Sequence, residues 1–268
     1  MKLSIVMPVA RVDNFLYATL DSVQNQTYRN FELIIVCGVD IHHEVLNLIE
    51  KNEYHFLYKI ISTPLRGVAF AANLGIASSS GTYIARWDSD DLCDAARLSR
   101  QVQELDANPS LGVIGTRVQI IDENGQPNEL QRFKFYSNND QIRRALKYRQ
   151  PLLHSSLVFR ADILFNNRGY LYGHTSEDHE LFIRIARDKS VQFKNLPDVI
   201  TYYRRHSSQL SDVSNMKNHF YEISAFMFSE FLRTYNFYYL FGMTVNVPLF
   251  RKIRYAYRDL LKFFLERG

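Results

Sequence analysis

Through the first ninety positions, short apolar blocks alternate with stretches in which apolar residues recur at helical spacing. Residues 3–9, Leu-Ser-Ile-Val-Met-Pro-Val, are apolar and β-branched and predict a strand. Val12, Phe15, Leu16, Leu20 and Val23 then follow the period of a helix. The same reading predicts strands over 31–37, 56–62 and 82–88, with helices over 41–52 and 67–79 between them. Strands that alternate with helices of this length predict a parallel sheet covered on both faces.

The pattern changes after residue 95. A helix over 95–107 stops before Pro109. Residues 112–122, followed by the turn Glu123-Asn124-Gly125-Gln126-Pro127, predict an antiparallel excursion. A helix near 139–148 leads to a strand over 154–160, a helix over 177–189 and a strand near 198–203. From about 213 onward the chain reads as helical and rich in Phe and Tyr. The expected organisation is an α/β domain over 1–212, with a mostly parallel central sheet flanked by helices, and a helical C-terminal extension over 213–268.

Composition narrows the class. The chain has 268 residues, 46% hydrophobic and 22% charged, which excludes disordered, collagen-like and disulfide-scaffold proteins. Two cysteines, Cys37 and Cys93, make neither a disulfide framework nor a four-ligand zinc site, and they suit a reduced, cytoplasmic compartment. Pro8 interrupts the N-terminal apolar run, so a secretory leader is not expected. No stretch approaches the ~20 apolar residues that span a bilayer. The formal charge of +4 is mild, and no basic and aromatic interleaving suggests a nucleic-acid partner.

The candidate chemistry begins at residues 83–92, Tyr-Ile-Ala-Arg-Trp-Asp-Ser-Asp-Asp-Leu. Asp88, Asp90 and Asp91 stand at the carboxyl end of the fourth predicted strand, where open parallel sheets bind their ligands. Carboxylates this close repel one another unless a hard divalent cation neutralises them. Mg²⁺ or Mn²⁺ fits, since such ions take one or two carboxylates together with substrate phosphates. Asp88 and Asp90 are the candidate ligands, and Asp91 or Asp94 is expected to cap the next helix.

The order of short motifs resembles the family 2 glycosyltransferases with the GT-A fold. The resemblance rests on residues 4–9 (SIVMPV), 22–36 (SVQNQTYRNFELIIV), 73–91 (NLGIASSSGTYIARWDSDD), 97–105 (RLSRQVQEL) and 111–116 (LGVIGT). It covers about residues 3 to 210. It implies inverting transfer of a sugar from a nucleotide-activated donor, a UDP-sugar first among them, to a glycan or lipid-linked oligosaccharide acceptor. Such a role belongs to surface polysaccharide assembly in bacteria. Carried onto this chain, it implies Asp90 as metal ligand and Asp88 as a contact to the ribose or the metal-bound diphosphate. Asn73 would lie near the donor, with Pro8, Arg66 and Ser89 lining the same site. Two stretches depart from the family pattern. Ala10-Arg11 replaces Tyr-Asn, and Cys37-Gly38-Val39-Asp40 replaces the Asp-Asp-Gly-Ser that holds uracil. Asp40 is the candidate to take over from a shifted position.

Inversion in one step also needs a base for the acceptor hydroxyl. On the helix over 177–189, Asp178 shares a face with Leu181, Phe182 and Ile185, so it should look inward. The resemblance makes Glu177-Asp178 the family's Glu-Asp pair, with Asp178 as base and Glu177 orienting the acceptor. Helix capping by Thr175 and Asp178 is the alternative use. The resemblance also puts His154 near the acceptor. It implies that His206, in Tyr-Arg-Arg-His, reaches the metal or diphosphate, with Arg204 adding positive charge beside the phosphates.

Residues 249–265 place Arg251, Arg254, Arg258 and Lys262 on one side of a helical wheel, with Leu249, Ile253, Tyr257, Leu260 and Phe264 opposite. Such a helix suits either a membrane surface at the inner leaflet or packing on this domain or a second subunit. The helix around 216–235 carries Phe220, Ile223, Met227, Phe231 and Leu232 at helical spacing and reads as core. Two rival functions remain open at the level of sequence. One is a nucleotidyltransferase, which lacks support because no glycine-rich loop follows the first strand. The other is a non-catalytic partner subunit with a degenerate donor site, which the altered 37–40 stretch favours.

Overall fold

A computed structural model describes residues 3–128, 133–172, 176–206 and 216–246. The alternating N-terminal pattern becomes β1 (Leu3–Val9), α1 (Asn14–Gln24), β2 (Phe31–Gly38), α2 (His42–Lys51), β3 (Leu57–Thr63), α3 (Val68–Ala77) and β4 (Tyr83–Arg86). Then follow β5 (Leu92–Cys93), α4 (Arg97–Ala107), β6 (Leu111–Ile121), α5 (Asn139–Leu146), β7 (Val158–Arg160), α6 (Ala161–Asn166), α7 (Glu177–Ile185) and β8 (Gln192–Arg204). The helices α8 (Met216–Thr234) and α9 (Phe237–Asn246) complete it.

The described strands form one eight-stranded sheet in the order β3-β2-β1-β4-β7-β6-β8-β5. The half from β3 to β4 is parallel, as the apolar runs predict. Beyond β4 the sheet is mixed rather than mostly parallel. β7 runs antiparallel to β4 and β6, β6 and β8 are parallel, and β5 is antiparallel to β8. Two cores lie on opposite faces, and the alternation of side chains along each strand feeds both. Leu3, Ile5, Met7 and Val9 of β1 join Leu16, Leu20, Val45, Leu98 and Val102 on one face. Val6 joins Ala72, Ile76, Phe159, Leu181 and Phe182 on the other. Asp13 caps α1, accepting from the amides of Phe15 (3.0 Å) and Leu16 (3.1 Å).

Three elements depart from the pattern reading. Residues 154–160 do not form one strand. His154–Ser156 is a 3-10 turn, closed by the Ser156 amide and hydroxyl on Leu153 O (3.0 and 2.7 Å), and only three residues of strand follow. The strand expected near 198–203 starts at Gln192. Its polar face hid it: Asn195 is buried and donates to Tyr136 O at 2.9 Å. The excursion after β6 is a tight turn in which Asn128 N–H meets Ile120 O at 2.8 Å, with Gly125 at φ +80°.

In the helical extension, Ile223 and Met227 enter the second core with Ala145 and Leu146. Phe220 and Phe231 are half-buried, but Leu232, expected in the core, is 54% exposed. Glu230 is fully buried and paired with Arg187 and with Arg233 (2.7 Å), tying α8 to the segment after α7. Thr175 and the basic stretch 249–265 lie outside the described residues.

Gln101 of α4 ties β6 to the turn before β7, donating to Ile114 O (3.0 Å) and Ser156 O (2.8 Å) from a fully buried position. Gln101→Leu should therefore cost about 2–3 kcal/mol, because both carbonyls lose their partner. A lower urea midpoint at unchanged slope would show it; an unchanged midpoint would refute the tie.

Candidate active site

Parallel pairing sets the carboxyl ends of β1 to β4 along one edge of the sheet. The segments that follow them carry Arg11, Asp40, Arg66 and the aspartates 88–91. Because β7 is antiparallel to β4, the 154–156 turn arrives at the same edge, and Arg86 N–H meets Leu157 O at 2.9 Å. Because β8 is parallel to β6, its end at Arg204 and His206 arrives there too.

Arg86 ends β4 as a buried cation. Its Nη2 pairs with Asp88 Oδ1 at 2.6 Å, its Nη1 donates to Trp87 O at 2.7 Å, and its buried Nε has no hydrogen-bond partner. Burial pushes the Asp88 carboxyl up, Arg86 opposes this, and Asp90 adds to the upward push. Asp90 faces the His206 ring, Nε2 to Oδ2 at 2.9 Å. Phe15 packs against that ring at 4.8 Å between centroids, and Arg11 Nη2 stands 3.5 Å from both of its nitrogens. Arg11 is itself held by Asp13 at 2.5 Å.

One assignment changes. Asp91 is not a helix cap: it is fully buried and accepts from the Ser155 hydroxyl and from Arg204 N–H (2.9 Å). Burial and the neighbouring Asp90 and Asp88 raise its carboxyl well above the usual range. Asp94 instead opens α4, accepting from Ala96 N–H at 2.8 Å. Arg204, expected beside the phosphates, makes internal contacts as well. It is buried over the Phe15 ring at 4.8 Å and donates to Asp90 O (2.9 Å), Glu123 O (2.9 Å) and Asp122 O (3.3 Å). It shapes the loop that presents Asp90. Ser89 contributes through its carbonyl, which accepts from Thr19 at 3.1 Å. Asp40 and Arg66 pair with each other at 2.9 Å on the exposed outer rim. Pro8 lies in β1, opposite Val36.

On the opposite wall, α7 starts at Glu177. Leu181, Phe182 and Ile185 are fully buried, as the helical face predicts, and the rest of the helix is nearly as buried except for Asp178, which is half-buried. Asp178 Oδ1 accepts from His179 N–H at 2.7 Å, and its other oxygen accepts from the side-chain amide of Gln150. Glu177 is buried beside it. Desolvation and Asp178 push its carboxyl up to about 8, with Arg86 opposing and Asp88 reinforcing the shift. Those last two influences bring the walls together: the carboxylates of α7 sense the charges at the end of β4. His154 points its Nε2 at the Tyr170 hydroxyl, and burial with the nearby Arg86 lowers its pKa well below the usual value, so the ring is neutral at pH 7. Asn73 clamps the segment carrying Tyr170, donating to Tyr170 O (2.7 Å) and accepting from Tyr170 N–H (2.8 Å).

Sequence reading missed Arg11, Arg86, Gln150 and Tyr170. Arg86 left a signal, a charge inside an otherwise apolar strand. Arg11 left one as well, a cation directly after the first strand. Gln150 lies in a connecting segment with no periodicity, and nothing in its neighbours points to Asp178.

The donor set fits a divalent cation that arrives with a nucleotide. Among the described residues no group of three or more His, Cys, Asp and Glu side chains could hold a metal. Asp90 and His206 offer one oxygen and one nitrogen, and a diphosphate would complete the shell, as hard cations prefer. An α/β crevice with this arrangement defines a nucleotide-sugar-binding fold of the GT-A type. The family model Glycosyl transferase family 2 matches residues 4–164. The chain is 32% identical over 235 residues to the O-antigen biosynthesis glycosyltransferase WbnJ of Escherichia coli, covering 86% of this chain and 89% of that one. The chain belongs to glycosyltransferase family 2. Residues 1–349 of S. aureus TarS, in complex with UDP-GlcNAc, share the fold at TM-score 0.67 and 16% identity, over 86% of this chain and 67% of that one. The mannosyltransferase PcManGT of Pyrobaculum calidifontis, in complex with GDP-Man and Mn²⁺, does so at 0.66 and 16%, over 96% and 75%.

Glu177 sets a stability dependence. Its folded-state pKa of about 8 lies above the ordinary 4.5, so the native state binds the extra proton between those values. Stability therefore falls as pH rises through that window and levels off above it. Glu177→Gln should flatten the decline in melting temperature over that range. A variant that declines as steeply as the parent would mean that Glu177 ionises normally.

Proposed function

We propose that the chain is a metal-dependent inverting glycosyltransferase that moves one sugar from a nucleotide diphosphate sugar, a UDP-sugar by preference, to a hydroxyl of a glycan or lipid-linked glycan in surface polysaccharide synthesis. The observation that carries this reading is the convergence of Asp88, Asp90 and His206 at the strand ends with Glu177-Asp178 on the facing wall. The relatives that bind nucleotide sugars or serve O-antigen synthesis support the substrate class.

The residues divide the work. Asp90 and His206, with Asp88 beside them, would hold Mn²⁺ or Mg²⁺, which when bound neutralises charge on the departing diphosphate. Asp178 takes the proton of the acceptor hydroxyl. The acceptor oxygen forms a bond to the anomeric carbon from the face opposite the leaving group. The bond from that carbon to the diphosphate oxygen breaks, and the nucleoside diphosphate leaves with the electron pair. His179 N–H and the Gln150 amide hold both oxygens of Asp178 and fix its rotamer. Neutral His154 and Tyr170 suit hydrogen bonding to sugar hydroxyls rather than proton transfer.

The reading is tested by transfer or hydrolysis of UDP-sugars. Asp178→Asn should lower turnover by roughly 10²–10⁴-fold while nucleotide binding persists. Unchanged turnover would remove Asp178 from the base role. Gln150→Leu should lower turnover by roughly tenfold with nucleotide binding unchanged, because the carboxylate loses a partner that fixes its position. In calorimetric titrations, UDP should bind in the presence of Mn²⁺, and Asp90→Ala should abolish that dependence. A chain that binds none of UDP, GDP and dTDP would be a non-catalytic subunit.

A further inference from the structure

Arg11 is a cation of the crevice with no part in the proton transfer or in the metal shell. It stands two residues beyond β1, and its guanidinium is held at two points. Nε donates to Asp13 Oδ2 at 2.5 Å. Nη2 lies 3.5 Å from both nitrogens of the His206 ring, whose Nε2 faces Asp90 Oδ2 at 2.9 Å. The remaining nitrogen, Nη1, has no hydrogen-bond partner among the described residues. The side chain is 42% exposed, so a ligand can reach that free donor. Stability does not explain the arrangement. A part-exposed ion pair contributes little. Asp13 caps α1 through its other oxygen, Oδ1, without help from Arg11. The His206 ring is already seated on Phe15, at 4.8 Å between centroids.

The position carries a cost for a metal site. A dication on Asp90 and His206 would have the permanent charge of Arg11 as a near neighbour, and like charges in a half-buried crevice repel. The balance is restored when an anion joins the two cations. A diphosphate has the charge and the oxygens to do so. Some of its oxygens would complete the metal's shell, and others would accept from the free N–H groups of Arg11, whose planar fork suits phosphate. A single phosphate offers fewer oxygens and less charge for the same two tasks.

We infer that Arg11 binds the diphosphate of the donor and makes occupancy of the metal site conditional on the nucleotide. Arg11 disfavours the bare cation in the empty crevice, and the cation becomes favourable once a diphosphate bridges it to Arg11. The inference rests on the proposed function. It adds to that reading a residue and an order of binding that Asp88, Asp90 and His206 by themselves do not require. An uncharged asparagine, the residue of the family pattern at this position, would impose no such order. Arg11 also serves the bond cleavage. The nucleoside diphosphate gains negative charge as its oxygen parts from the anomeric carbon, and a guanidinium already fixed by Asp13 stabilises that charge without rearrangement.

The test is calorimetric titration of the full chain with Mn²⁺ alone, and with UDP and UMP in saturating Mn²⁺, so no sugar transfer is required. Arg11→Gln should bind Mn²⁺ alone about threefold more tightly than the parent, because a like charge is removed. The same variant should bind UDP about tenfold more weakly, because a charge-assisted contact is lost. The preference for UDP over UMP should shrink with it. Opposite signs for metal and nucleotide cannot come from a general loosening of the site. Arg11→Lys keeps the charge without the fork, so it should hold Mn²⁺ alone as weakly as the parent and recover part of the UDP affinity. Both variants should melt at the parent temperature, since the cap on α1 remains. A parent that binds UDP with Mn²⁺, beside an Arg11→Gln variant with the same affinities, would overturn the inference and leave the glycosyltransferase reading standing. Equal losses for UDP and UMP would overturn the diphosphate bridge. Weaker binding of every ligand, Mn²⁺ alone included, with a lowered melting temperature would make Arg11 structural. A parent that binds none of UDP, GDP and dTDP would remove both readings together.

Discussion

Arg86 places a full positive charge at the end of an apolar strand, almost out of reach of water, and the site is arranged around it. A lone buried guanidinium would be costly. Asp88 answers it at 2.6 Å, and the carbonyl of Trp87 takes a second proton. Burial and, after it, the same cation keep His154 neutral, and Arg86 also opposes the upward shift of the buried Glu177 on the opposite wall. One charge thus biases groups on three separate elements, and each bias has the sign that the proposed chemistry needs. Beneath it, Arg97 stacks on Trp87 at 4.4 Å and donates to Arg86 O at 3.1 Å, so the cation rests on a second, equally buried one. Two neighbouring cations under three aspartates form a balanced layer rather than an acidic patch.

Most of the N-terminal half was legible because a parallel strand buried on both faces writes itself as an unbroken apolar run. β1 has its predicted limits, and β2 to β4 fall within a residue or two of theirs. The second half was harder for physical reasons. β8 carries Lys194 and Asn195 in its interior, and these are satisfied by Glu104 and by Tyr136 O, partners that local sequence cannot reveal. The 154–156 turn looked like strand because apolar residues follow it without a break. In the site, Asp88, Asp90 and Asp178 were readable from chemistry and spacing. The burial of Asp91 and Arg204 was not legible, because a charged residue just beyond a predicted strand is ordinarily expected to meet solvent or ligand. Their burial arises from tertiary closure: each is satisfied by backbone that arrives from far along the chain.

The outer rim shows how a departure in sequence appears in space. Where the family pattern has acidic residues followed by Gly-Ser, this chain has Asp40 paired with Arg66 in solvent. An exposed pair of this kind contributes little to stability. Ala10 after β1 leaves the adjoining space without the bulk of a ring, while Arg11 moves positive charge toward Asp90 and His206.

The contact between Asp90 and His206 joins positions 116 residues apart. Asp91 and Arg204 are separated almost as widely. β5, which follows the aspartates at once, finds its only described partner in β8. A nascent chain that has emerged as far as α6 therefore has its parallel half-sheet and its aspartates, yet lacks the histidine that Asp90 meets. The site comes into being with the last strand. A ligand that needs both Asp90 and His206 consequently recognises the completed sheet alone, and its binding free energy adds to the stability of the whole domain rather than to either half.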